Sequence, residues 1–238
     1  MSSTTPSSPP ASASCSARLL MLDFIRTAET QLARRRRTQL SRYRPYAKQA
    51  DFHASGVAHR ERLLLAGNQL GKSFSGAAEL AMHATGLYPP WWTGRRFAAP
   101  IRAWAASKTG EVTRDGVQRM LVGEPKDKGH WGEGMIPGEA LAGWSLRRGI
   151  ADALDSVRVR HAGGGLSSIG FKTYDQGRQK WQAETLDVVW FDEEPPLDIY
   201  MEGLTRTNAT GGMVFVTFTP LLGMSEVVSL FLGDDCGP

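Results

Sequence analysis

Two stretches of this sequence hold residue types whose spacing suits phosphate chemistry. The first is Ala66-Gly-Asn-Gln-Leu-Gly-Lys-Ser73, with the apolar run Arg62–Leu65 before it and a helix-forming run after it. A strand, a tight loop and a helix in that order are what a phosphate-binding loop requires. Gly71 permits the turn that lets the backbone N–H groups of Gly67, Asn68, Gln69 and Leu70 converge on phosphate oxygens. The helix N-terminus adds its dipole. Lys72 places a point charge between the β- and γ-phosphates, and the Ser73 hydroxyl suits Mg2+. The usual pattern begins with Gly; here that position is Ala66, with Gly67 next. A small residue is retained.

The second stretch is Asp187-Val-Val-Trp-Phe-Asp-Glu-Glu194. Its apolar centre predicts a buried strand that delivers Asp192 to its C-terminal edge, where open α/β sheets bind ligands. Asp192 would hold Mg2+ directly or through water. Glu193 would orient or deprotonate an attacking water. Glu194 is a further partner or simply exposed. A third run, Met213-Val-Phe-Val-Thr-Phe-Thr-Pro220, predicts another buried strand ending in hydroxyls. It either puts Thr217 or Thr219 near the γ-phosphate or reflects the β-propensity of threonine alone.

The elements that must carry these residues alternate along the chain. Strands are expected at 62–66, 101–106, 157–161, 168–173, 187–191 and 213–218. Helices are expected near 72–85, 110–122, 197–209 and 224–232. This alternation predicts an α/β fold, a P-loop NTPase core of the RecA/ASCE type with a mostly parallel β-sheet flanked by helices. Residues 123–149, rich in Gly and Trp, read as a long loop or insertion. The expected organisation is 1–16 disordered, 17–42 a basic amphipathic helix or arm, and 43–238 the folded domain.

The 238 residues are enough for about one large domain, and 41% apolar with 22% charged residues is a soluble globular composition. No apolar run is long enough to span a bilayer or to form a signal-peptide core, so no membrane role is expected. Cys15 and Cys236 have no metal-ligand spacing, and a reducing compartment is the expectation. The net charge of +4 conceals an asymmetry: residues 1–50 hold nine Lys/Arg and two Asp/Glu, the rest nineteen and twenty-two. The basic run Arg34–Arg37 fits a solvated helix end, a phosphate-contacting arm or an organellar presequence.

Taken together, Arg44–Gln49, Ala66–Ser73, Gly86–Arg95, Asp187–Pro195 and Thr217–Pro220 resemble the ATPase domain of tailed-bacteriophage large terminase subunits over about residues 43–232. The resemblance implies an ATPase coupling hydrolysis of ATP, with Mg2+, to movement of double-stranded DNA into a capsid. It implies adenine reading by Gln49 and coupling through Thr217 and Thr219. It also implies a homo-oligomeric ring at the capsid portal protein, a small terminase subunit as partner, and the cytoplasm of an infected or lysogenic bacterial host. Because duplex DNA offers no open base faces, Trp91 and Trp92 read as packing residues.

The sequence departs from that family in three places. Asn68 stands where many relatives carry Arg. Gln182-Ala183 stands where many carry an Arg-Gly pair whose Arg acts on a neighbour's ATP, which leaves Arg178, slightly upstream, as the candidate arginine finger. Only eighteen residues follow Pro220, with Glu226, Asp234 and Asp235 among them, so no nuclease activity is expected of this chain. A helicase-like, nucleic-acid-stimulated NTPase and a nucleotide-binding but inactive assembly subunit are the competing readings.

Overall fold

The computed structural model describes residues 11–36, 39–182, 184–219 and 226–232. Residues 1–10, Arg37, Ala183, Pro220 and the tail with Asp234, Asp235 and Cys236 lie outside the described residues, as do the side chains of Arg34, Arg35 and Arg36. The first helix, α1 (Ala11–Arg36), forms a unit of its own. It begins inside the segment expected to be disordered, because Ala and Ser there extend the helix backwards at little cost in propensity. Beyond it, residues 37 and 38 lie outside the described residues, and Gln39–Arg42 are helical again. Leu19, Leu20, Leu22, Phe24 and Ile25 are all exposed.

In the second unit, β1 (Glu61–Leu65), β2 (Arg102–Ser107), β3 (Leu141–Leu146), β4 (Leu154–Arg160), β5 (Leu166–Thr173), β6 (Val188–Asp192) and β7 (Met213–Phe218) form one sheet in the order β1-β7-β6-β2-β5-β4-β3. The pairs from β1 through β5 are parallel, and β5-β4 and β4-β3 are antiparallel. The α/β fold with a mostly parallel sheet is therefore observed. β6 and β7 are buried along their whole length, as their unbroken Val, Trp and Phe runs require of central strands.

One strand escaped sequence reading. β3 lies in the segment read as loop, at the sheet edge and half exposed, and two register irregularities against β4 blur its alternation. The helix expected at 110–122 is α5 (Gly110–Val112) and α6 (Arg119–Val122), joined by a π-helical stretch over Thr113–Gln118. Around them stand α2 (Gln39–Arg42), α3 (Ala47–Ser55), α4 (Lys72–Thr85), α7 (Leu197–Arg206) and α8 (Glu226–Leu232).

Helix α4 runs through the core on one face of the sheet. Gly71, with φ of 74°, starts it in the left-handed conformation, and Gly86, with φ of 69°, ends it by donating its N–H to the Met82 carbonyl. Gly76 lets α4 lie directly on β6: a Cβ there would stand 2.6 Å from the Trp190 ring. Phe52, Leu80, Met82 and Phe215 belong to the core on this side. On the other face Trp104, Trp181, Phe191, Tyr200 and Phe218 build a second core with α7 and α8. Trp92 is buried and Trp91 packs against Tyr43 and His53, so both indoles serve the core.

Candidate functional site

The strand order puts β7 between the strand that feeds the Gly67–Ser73 loop and the strand that ends in Asp192. Register pairs Leu64 with Thr217 on one side and Asp192 with Thr217 on the other. The loop leaves β1 and turns through two left-handed residues, Gln69 (φ 60°) and Gly71. Among the described residues, no backbone acceptor takes the N–H of Asn68, Gln69 or Gly71. Such donors at a helix N-terminus can hold a polyanion. Lys72 is buried, and its Nζ donates to the Gly67 carbonyl at 2.7 Å, folding the side chain back over the loop.

Asp192 is buried beneath the loop. Burial pushes its carboxyl up from 3.8 to about 6, against hydrogen bonds from the Ser73 and Thr217 hydroxyls that favour the charged form. The Thr217 hydroxyl donates to Asp192 Oδ1 at 2.9 Å and receives the Trp190 indole N–H at 2.8 Å. Thr219 reaches the opposite wall, its hydroxyl donating to Asn68 Oδ1 at 3.0 Å. The two threonines thus do different things: Thr217 orients the acidic strand, and Thr219 touches the loop.

Glu193 is a non-glycine residue at φ of 69°. Its N–H donates to the Thr217 carbonyl at 2.8 Å, and its carbonyl receives the Tyr174 hydroxyl at 2.7 Å. Sequence reasoning missed Tyr174 because its place depends on strand order: it leaves the end of β5 and passes the end of β2 to reach β6.

Gln49 also stands against the loop. Its Nε2 donates to the Leu70 and Gly71 carbonyls, both at 3.2 Å, and its Oε1 receives the Tyr46 N–H at 3.0 Å. A cleft of about 400 Å³ opens beside it, lined by Arg42, Tyr43, Arg44, Tyr46, Gln69 and Phe74. Behind Gln49 lies a buried network that no sequence motif announced. The Tyr43 hydroxyl meets His53 Nε2 at 3.0 Å and donates to Ser75 Oγ at 3.1 Å. His53 Nδ1 lies 2.6 Å from Glu79, which also pairs with Arg62 and meets His83 Nε2 at 3.3 Å. Burial alone would raise the Glu79 carboxyl. The Arg62 charge and hydrogen bonds to both imidazoles outweigh it and hold the group well below the carboxylate range. Burial pushes His83 down, so it serves as a neutral partner.

Arg178 stands apart from these groups. It lies on a short 3-10 turn, Arg178–Trp181, with an exposed side chain whose Nε meets Glu202 at 2.9 Å, and Arg206 holds the other oxygen of the same carboxylate. Glu194 lines a separate cleft with Lys108, Tyr174 and Pro195. Among the described residues no three His, Cys, Asp or Glu side chains gather as a metal cage. A Ser73–Asp192 oxygen pair instead suits a hard cation that keeps most of its water and phosphate ligands, as Mg2+ does. No helix among the described residues is long and apolar enough to cross a membrane.

Comparison with known proteins bears on the family and the fold. The family model described as terminase large subunit, T4likevirus-type, N-terminal, matches residues 63–235. The terminase large subunit of Salmonella phage P22 is 44% identical over 210 residues, covering 81% of this chain and 42% of the relative. That of Enterobacteria phage LP7 is 37% identical over 67 residues, 28% of this chain and 14% of the relative. The solved large terminase of a thermophilic bacteriophage shares the fold, with a TM-score of 0.50 and 14% identity over 74% of this chain and 39% of that one. The chain spans about two fifths of the length of the Salmonella phage protein.

Proposed function

The chain belongs to the terminase large-subunit family, and from that premise we propose that residues 43–232 form an ATP-hydrolysing motor domain that moves double-stranded DNA. The observation that carries this reading is the meeting of Lys72, Ser73, Asp192 and Glu193 at one sheet edge, with Thr217 and Thr219 between them.

In this reading the N–H groups of the Gly67–Ser73 loop bind the triphosphate. Lys72 exchanges the Gly67 carbonyl for phosphate oxygens. The Ser73 hydroxyl and the Asp192 carboxylate would hold Mg2+, which would supply positive charge to the phosphate oxygens. Glu193 holds the attacking water and accepts its proton, so catalysis is mostly positioning and electrostatics. The cleft beside Gln49 takes the base, and Gln49 reads adenine by giving up bonds to Leu70 and Gly71. Thr219 senses the γ-phosphate through Asn68. Arg178, released from Glu202, is the candidate finger for a neighbouring copy in a ring at the portal, and the basic arm before residue 43 is a candidate DNA contact.

The test is ATP turnover together with nucleotide affinity for wild type, Lys72→Ala and Glu193→Gln. Both variants are expected to lose at least about 100-fold in turnover. Only Lys72→Ala is expected to weaken nucleotide binding strongly. Wild-type turnover in Glu193→Gln would refute the base assignment, and wild-type affinity in Lys72→Ala would refute the loop assignment. Duplex DNA is expected to stimulate the wild type without strand separation; unwinding would favour the helicase-like reading.

A further inference from the structure

We infer that Tyr174 is a positioning residue for Glu193: its hydroxyl locks the backbone of the Asp192–Glu193 corner in the left-handed conformation that aims the Glu193 carboxylate. This rests on the proposed role of Glu193 for its catalytic consequence, but not for its structural content.

A non-glycine residue at φ of 69° carries a steric penalty and persists only where its surroundings over-determine it. Two hydrogen bonds meet that requirement from opposite sides. The Glu193 N–H is tied to β7 through the Thr217 carbonyl, and the Glu193 carbonyl is tied to the β5 exit through the Tyr174 hydroxyl. Removing the second leaves the corner held on one side only.

The surroundings of Tyr174 fit this role. Its hydroxyl lies 2.7 Å from the Glu193 carbonyl, 3.1 Å from that of Asp192 and 3.4 Å from that of Ala106. All three neighbours are acceptors, so the hydroxyl can only donate. The ring is buried and packed at 6.1 Å from Phe191 and 6.4 Å from Trp181, which fixes where the oxygen sits. Tyr174 also opens the turn that continues to Arg178. The same short segment therefore holds the corner on its buried side and exposes a guanidinium on the other.

The experiment uses Tyr174→Phe, which keeps the ring and removes only the hydroxyl, on the full chain. Hydrogen–deuterium exchange of the amides over 191–194 is the first readout and needs no activity. We expect exchange there to rise at least tenfold while α4 is unchanged. In a Glu193→Gly background, where glycine adopts a positive φ freely, the added effect of Tyr174→Phe should fall below threefold. The second readout is kinetic: kcat should drop at least tenfold, with nucleotide affinity within twofold. Exchange in Tyr174→Phe equal to wild type overturns the inference. Raised exchange with normal turnover in both Tyr174→Phe and Glu193→Gln keeps the backbone lock and refutes the catalytic assignment of Glu193 instead. Raised exchange with normal turnover in Tyr174→Phe but lost turnover in Glu193→Gln overturns the claim that the lock aims the carboxylate.

Discussion

Replacing Asp192 by Asn should stabilise the nucleotide-free protein, although it removes the carboxylate proposed to hold Mg2+. The side chain is buried, and its carboxyl rises from 3.8 to about 6 because burial disfavours the charge more than the Ser73 and Thr217 hydroxyls favour it. A rise of that size corresponds to about 3 kcal/mol. The sign follows from linkage. The folded protein holds this proton more tightly than the unfolded chain, so the contribution is fully present below 3.8 and is lost as pH rises through about 6. At about pH 8 the wild type therefore carries the whole penalty of a buried carboxylate, and Asn does not. Asn also keeps the local bonds, with Oδ1 accepting from Thr217 and Nδ2 donating to Ser73. The assay is thermal unfolding followed by circular dichroism at about pH 8, 6 and 4, in chelator and without nucleotide. With about 2–4 °C per kcal/mol for a domain of this size, Asp192→Asn should melt several degrees higher at pH 8. The gap should narrow through pH 6 and close by pH 4. A variant no more stable than wild type at pH 8, or a gap independent of pH, would refute the account of the site as a carboxylate held in reserve for a cation.

Three further outcomes test the frame around the site. Glu79→Ala leaves Arg62 buried without its carboxylate and should cost about 3–5 kcal/mol in urea unfolding, far more than a surface Glu→Ala change. Gly76→Ala drives a methyl into the Trp190 ring and should cost about 1–3 kcal/mol, with the Trp190 environment altered in near-UV circular dichroism. Arg178→Ala should remove assembly-dependent ATP turnover while sparing nucleotide affinity; unchanged turnover in assembled rings would exclude Arg178 as the finger.

How far the sequence could be read depended on whether a signal was local. β6 and β7 were legible because strands buried on both faces read as continuous apolar runs, and each delivers its candidate site residues at its end. The helix at Lys72–Thr85, expected near 72–85, was legible because a helix-forming run follows the loop directly. β3 was not, since an edge strand with irregular register carries little periodicity. The network around Glu79 was also hidden: Tyr43, His53, Arg62, Glu79 and His83 lie along forty residues and converge only when α3, β1 and α4 pack. Gln49 was singled out through family resemblance, yet nothing in its sequence context announced the bonds to Leu70 and Gly71. Tyr174 depended on the order β5-β2-β6, which only the assembled sheet defines.

The position of β7 between β1 and β6 also bears on how the protein comes into being. Leu64 and Thr217 are neighbours in the sheet but about 150 residues apart in the chain, so their pairing closes one of the longest loops in the fold. During synthesis the loop with Lys72 emerges early and the Asp192 strand much later, yet β1 and β6 have no direct hydrogen-bonded contact with each other. The two halves of the site meet only when β7 inserts between them. A nascent chain that ends before residue 213 can therefore bury much of its core and still have no composite site. Long-range parallel pairing of this kind is slow, so the proposed nucleotide binding should be acquired in one late step, as the last strand of the sheet docks.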